Sequence, residues 1–189
     1  MKPDAPELTF PTRADFRAWL AENAETGGGV WLAFGKTKAL PTLKAGEALE
    51  EALCFGWIDG QMRGVDDTKY VKYFAPRRAK SVWSVKNKKL VEALREKGLM
   101  AVPGERAVEA AQANGAWDER TEAGEQAMVE ALAEKLRGFP QAHAYFLGLP
   151  PSAKLAAARW YHASKDESIR ARELPKIVEA LETGWKPSI

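Results

Sequence analysis

Residues 49–76 read LEEALCFGWIDGQMRGVDDTKYVKYFAP, and two periodicities meet inside that stretch. In its first part Leu49, Ala52, Leu53 and Gly56 fall on one stripe of a helix spanning roughly Lys44 to Phe55. Gly56 suits the helix C-terminus, because glycine reaches positive φ without a Cβ clash. From Trp57 the period changes to two. Trp57-Ile58-Asp59 opens a strand running to Val65, and Asp66-Asp67-Thr68 makes a turn. Tyr70, Lys72 and Phe74 then alternate with Val71 and Tyr73 in a return strand over Lys69–Ala75, closed by Pro76. A helix feeding an antiparallel hairpin is an α+β signature.

Working outward, Thr12 with Asp15 forms a capping box ahead of Phe16, Trp19 and Leu20, which share a helix face. Gly27-Gly28-Gly29 ends that unit. The apolar run Val30–Phe34 follows and reads as a buried strand. C-terminal to the hairpin, a third helix spans about Ser84 to Lys97 and stops at Gly98. Beyond Met100 only helices are expected. Pro103 opens one and Asn114-Gly115 closes it; another lies near Gln126–Leu136; Pro140 opens a third that ends near Gly148. Ser152 caps a fourth, Ser164 and Glu167 make a further capping-box pattern, and Pro175 suits the first turn of a last helix stopped by Gly184. The expected architecture is therefore α+β: a small antiparallel sheet of three or four strands packed with helices, followed by an all-helical C-terminal part. The expected division is an α+β domain over residues 1–100 and a helical module over 101–189, with a soft boundary.

Composition narrows the class. With 46% hydrophobic and 29% charged residues in 189, the chain has an ordinary globular balance and can bury a core without staples. Cys54 is the one cysteine, so no intramolecular disulfide forms; a reducing, cytoplasmic setting is expected. The N-terminus MKPDAPELTFP has no apolar signal region, and no window approaches the roughly 18 apolar residues of a membrane span. Net charge is +2, but it is unevenly spread. Thr68–Val91 carries Lys69, Lys72, Arg77, Arg78, Lys80, Lys86, Lys88 and Lys89 without an acid. From Pro103 to Glu134 the acids face only Arg106 and Arg120.

Most familiar chemistries fail on spacing. Gly35-Lys36-Thr37 resembles the end of a phosphate-binding loop, but Val30 stands where the first glycine is needed, and Trp31–Phe34 is too bulky for a cradle of backbone N–H groups. His143, His162 and Cys54 are too dispersed for a zinc set, so no metal and no cofactor are expected. Cys54, beside Phe55 and Trp57, reads as a small buried hydrophobe, or alternatively as a pocket-lining or redox-sensitive thiol. Ser81 and Ser84 have no nearby histidine. The basic stretch with Tyr70, Tyr73, Phe74 and Trp83 has the ingredients for stacking bases and neutralising phosphates, but strand alternation sends half its side chains to the other face.

Three segments together carry a resemblance. Glu51-Ala52-Leu53-Cys54-Phe55-Gly56-Trp57-Ile58-Asp59-Gly60, then Phe74-Ala75-Pro76-Arg77-Arg78, then Ser81-Val82-Trp83-Ser84-Val85-Lys86-Asn87 resemble the YdeI/OmpD-associated, or bacteriocin-protection, family over most of residues 8–186. Arg159-Trp160-Tyr161 and Lys165-Asp166-Glu167-Ser168 resemble that family's C-terminal helical module, with Ser168 and Ile169 where the module has Thr and Arg. The resemblance implies a link to bacteriocin or cationic-peptide resistance and to stress responses; one branch is named for association with an outer-membrane porin. It carries no catalytic reaction.

The same segments form a candidate ligand site on elementary grounds. Trp57 and Asp59 leave a helix and enter the sheet, while Ser81, Trp83, Ser84 and Asn87 lie where the hairpin feeds the next helix. A helix N-terminus favours an anion, Arg77 offers a planar two-pronged donor, and Trp57 and Trp83 offer flat walls, with Cys54 alongside. The structural alternative pairs Asp59 with Arg77, uses Ser84 only as a cap and puts both tryptophans in the core. The leading reading is a non-enzymatic binding protein for a small molecule or anion, with a protein partner also open. An enzyme using Asp59 or Cys54 is the alternative, and nucleic-acid binding through Lys69–Lys89 ranks last.

Overall fold

A computed structural model describes residues 5–37 and 39–185. They form two compact units, divided between Arg120 and Thr121.

The first unit is α+β. Its elements are β1 (Glu7–Leu8), α1 (Arg13–Asn23), β2 (Val30–Gly35), α2 (Ala45–Cys54), β3 (Trp57–Gly64), β4 (Lys69–Pro76), α3 (Val85–Glu96) and α4 (Val102–Ala113). The four strands make one sheet in the order β1-β2-β4-β3. The expected hairpin and the expected Val30–Phe34 strand are present: β3 pairs antiparallel with β4, and β4 antiparallel with β2. The sheet is mixed rather than antiparallel, because β1 pairs parallel with β2, Glu7 opposite Trp31 and Leu8 opposite Leu32. Two residues are too short a strand to show alternation, so β1 left no mark in the sequence pattern.

Burial explains why β2 reads as an unbroken apolar run. Val30, Leu32 and Phe34 enter the main core with Phe16 and Leu20 of α1, while Trp31 and Ala33 are buried on the other face with Val71. A strand covered on both faces has no polar alternation. On the core side Phe16, Trp19, Phe34, Trp57 and Phe74 are linked by ring contacts of 5.7–6.3 Å. Glu51 is the exception in this core: only 2% exposed, it is held by ion pairs from Arg13 and Arg17.

Helix ends follow local chemistry. Thr12 caps α1 in a full capping box with Asp15, and the Ser84 hydroxyl accepts from the Asn87 N–H at 3.2 Å to cap α3. Such caps are worth about 1 kcal/mol each. Two glycines let α4 close on the end of α2. Gly56 sits at φ +75°, and a Cβ there would meet the Pro103 carbonyl oxygen at 2.8 Å; a Cβ on Gly104 would meet the Cys54 carbonyl oxygen at 2.2 Å. The Ala101 N–H donates to that same Cys54 carbonyl at 3.0 Å.

The second unit is helical: α5 (Glu122–Leu136), α6 (Pro140–Gly148), α7 (Pro151–Tyr161) and α8 (Glu167–Glu182). Its core holds Leu132, Leu136, Phe146, Tyr161, Ile177 and Leu181. Three terminal signals resolve differently from the expectation. Pro150, not Ser152, occupies the N-cap of α7, with Pro151 in its first turn. Asp166, not Ser164, caps α8, its carboxylate accepting from the Ser168 N–H at 2.8 Å. Pro175 does not start a helix but lies inside α8. A proline there removes one hydrogen bond and costs about 3 kcal/mol. Burial of Ile177, Val178 and Leu181 beyond it offsets that cost. No helix is long and apolar enough to cross a membrane among the described residues.

Candidate functional site

In the first unit the end of α2, the end of β4, the loop before α3 and the start of α4 surround a cleft of about 330 Å³. Gly56 and Trp57 form its floor where helix gives way to strand. Trp83 and Arg77 form one wall, Pro103 and Ala107 of α4 another, and Arg78, Arg106 and Glu25 the rim. Gly56, in this lining, and Gly104 permit the close approach of α4 to the end of α2.

Arg77 is its most unusual member. Its backbone N–H donates to the Gly56 carbonyl at 2.9 Å, which anchors the residue beside the helix end. Its guanidinium carbon lies over the Trp83 ring, 3.8 Å from the centroid. Nη2 donates to the Val82 carbonyl at 3.1 Å and the Ser81 carbonyl at 3.3 Å, while Nε is buried with no hydrogen-bond partner. No carboxylate among the described residues lies within ion-pair distance of it. Burial therefore pushes the guanidinium down to about 10, against the through-space support of Asp59. A half-buried cation that is fixed and without an ion pair has the chemistry to receive an anion.

Both tryptophans belong to the core and the cleft at once. Trp57 is fully buried, donates through Nε1 to the Ala24 carbonyl at 3.0 Å and meets Trp19 edge-on at 5.7 Å. Trp83 is 1% exposed and packs on Trp117 at 5.1 Å.

The remaining sequence-derived candidates stand away from the cleft wall. Asp59, opposite Phe74 in the sheet, is ion-paired with Lys72 and not with Arg77. Ser81 contributes its carbonyl to Arg77. Ser84 caps α3, and Asn87 supplies the backbone N–H that Ser84 receives. Cys54 is fully buried on α2; burial raises its thiol pKa, opposed in part by a hydrogen bond from Arg17. Sequence reasoning did not select Arg106, Pro103 or Ala107 for the site. Arg106 carried a signal, as one of two cations in the acidic stretch from Pro103 to Glu134. It reaches the rim and is ion-paired with Glu25, both side chains largely exposed.

Elsewhere the candidate chemistries resolve simply. Gly35-Lys36-Thr37 ends a strand: the Gly35 N–H donates to the Thr42 hydroxyl at 3.0 Å and the Lys36 N–H to the Thr68 carbonyl at 2.7 Å, so those amides do not cradle a phosphate. No group of three metal-ligating side chains occurs among the described residues. The basic stretch is partly consumed internally. Lys69 pairs with Glu7, Lys72 with Asp59, and Lys88 donates to the Trp117 and Arg120 carbonyls at 3.0 and 2.6 Å.

Fold and cleft together describe an α+β module bearing an arginine-lined cleft, with an all-helical unit C-terminal to it in the chain. The chain belongs to the family described as Domain of unknown function (DUF8412), matched over residues 8–107, and carries a domain of the Bacteriocin-protection, YdeI or OmpD-Associated family over residues 127–184. The central Cys54–Gly60 motif and the whole cleft lining except Ala110 fall in the first match. Arg159-Trp160-Tyr161 falls in the second. No curated protein and no solved structure matches the chain.

Proposed function

We propose that this protein is a non-enzymatic binding protein acting in bacteriocin or antimicrobial-peptide protection and the stress that accompanies it, and that the cleft at Arg77 takes a small anionic ligand with a flat apolar part. The observation that carries the reading is Arg77 itself: over the Trp83 ring, without an ion pair, and with a buried unpartnered Nε, at the wall of a cleft rimmed by Arg78 and Arg106. The family description of residues 127–184 supplies the protective context. The enzymatic alternative has less support. Cys54 is sealed in the core with its thiol pKa raised, and Asp59 is engaged by Lys72. Nucleic-acid binding has less support too, since Lys69, Lys72, Arg77 and Lys88 are tied into the fold.

The test is calorimetric titration with phenyl phosphate and with inorganic phosphate, on the parent chain, Arg77→Lys and Arg106→Ala. Lysine keeps the charge but loses the planar fork. Arg77→Lys should stay folded and bind phenyl phosphate at least tenfold more weakly, about 1.4 kcal/mol. Absence of saturable binding by either probe, together with heavy destabilisation of Arg77→Lys, would make the arrangement a structural network and end the proposal.

A further inference from the structure

The second unit contains a cleft of its own, about 310 Å³, lined by Trp160, Tyr161, Ser164, Ile169, Arg170 and Glu173. It lies between the end of α7 and the start of α8. Most of its wall is apolar: Trp160 and Tyr161 contribute rings, and Ile169 is 36% exposed although it is a large aliphatic side chain. An aliphatic residue left partly in water beside two aromatic rings is a surface that a ligand body can cover.

Arg170 is the cation of the lining, and its Nε has no partner. Nη2 holds Glu167 at 2.5 Å in an i,i+3 pair whose carboxylate is 62% exposed. Nη1 lies 3.5 Å from Nδ1 of His162. Nε, which points to the same side of the guanidinium as Nη2, is buried and has no partner. A carboxylate that approaches side-on uses Nε and Nη2 together. An exposed pair such as Glu167–Arg170 contributes little, so exchanging it for such a ligand costs little. The neighbours leave Arg170 as the receiving cation. His162 adds no second charge at neutral pH, because burial first and Arg170 second hold its pKa below the ordinary value. Glu173, the acid in the lining, is paired with Lys176 at 2.6 Å in an i,i+3 pair and also accepts from the Trp160 side chain. The Ser164 hydroxyl accepts from the Asp166 N–H at 3.1 Å, and its own proton can donate into the cleft.

We infer that this second cleft binds a small monocarboxylate with an aromatic or branched apolar body, its carboxylate side-on to Nε and Nη2 of Arg170 and its body against Trp160, Tyr161 and Ile169. The inference is independent of the Arg77 cleft and stands or falls without it.

The test is a two-dimensional ¹H–¹⁵N NMR titration of the full chain, reading the Arg170 Nε–H and Trp160 Nε1–H signals. The probes are phenylacetate, its neutral counterpart 2-phenylethanol, and inorganic phosphate, each taken to about 10 mM. Phenylacetate is expected to give saturable shifts at both signals, with 2-phenylethanol and phosphate at least tenfold weaker. Arg170→Gln should weaken phenylacetate tenfold or more. Ile169→Glu, at an exposed position that leaves the core untouched, should do the same by repelling the carboxylate, and Arg77→Lys should change nothing. Equal shifts with 2-phenylethanol, no saturable shift with phenylacetate, or unchanged affinity in Ile169→Glu would each overturn the assignment.

Discussion

Replacing Arg77 by methionine should leave the stability of the protein nearly unchanged, and the reason is a near-cancellation at one side chain. The guanidinium is held down to about 10 by burial, so the fold carries a cation it would rather not contain. Discounted for the part of the side chain that still meets water, that cost is on the order of 2 kcal/mol. Against it stand the cation–π contact with Trp83, about 1 kcal/mol, and the hydrogen bonds to the Val82 and Ser81 carbonyls, long at 3.1 and 3.3 Å. Those bonds add about 1 kcal/mol between them. Methionine keeps an unbranched apolar stem against the Trp83 ring and brings no charge. The expected change is therefore within about 1 kcal/mol of zero. Trp83→Ala, by contrast, empties a site that is 1% exposed and should cost roughly 3–5 kcal/mol. Urea unfolding followed by far-ultraviolet circular dichroism, with equal slopes for parent and variant, measures both. A loss above about 3 kcal/mol in Arg77→Met would refute the reasoning and make Arg77 a structural member of the core. A near-neutral outcome would remove stability as the role of Arg77, as the proposed anion cleft requires.

Two further perturbations probe the framework of the site. Gly104→Ala should destabilise by roughly 2–3 kcal/mol, because the new Cβ meets the Cys54 carbonyl oxygen at 2.2 Å and must push α4 from α2. Helix propensity alone favours alanine by about 1 kcal/mol, so a raised melting temperature would show that α4 moves without cost. Cys54 should resist a thiol reagent in the folded chain at about pH 8 and react fully in denaturant. Its pKa is raised by burial, which keeps the thiol protonated as pH rises past the ordinary value. Native-state labelling as fast as the denatured control would contradict its placement in the core.

The site was only partly legible in the sequence. Trp57, Arg77 and Trp83 were candidates from their place beside the helix–strand junction, and all three line the cleft, although both tryptophans are also core residues, as the structural alternative expected. Asp59 was misleading as a partner for Arg77. The register that places it opposite Phe74 also brings it to Lys72, and a register of that kind follows from the turn and the bulge between Asp59 and Met62. Arg106 is remote from the motif in sequence; it joins the cleft because α4 crosses the end of α2. Nor did spacing mark the cleft at Arg170, which forms where the end of α7 meets the start of α8.

Local rules alone determined most of the elements. The change of period at Gly56, the cap at Thr12, the cap at Ser84 and the alternation of β4 are interactions among residues a few positions apart, so the chain order itself contains them. Tertiary structure decided the rest. The parallel docking of β1 on β2 depends on backbone hydrogen bonds between segments more than twenty residues apart, including the Trp31 N–H donating to the Pro6 carbonyl at 2.8 Å. The continuation of α8 through Pro175 depends on how much apolar surface Ile177, Val178 and Leu181 bury against other helices. The close approach of α4 to the end of α2 depends on the room that Gly56 and Gly104 leave. Burial and long-range contact are properties of the assembled chain, and no local pattern encodes which distant surface will supply them.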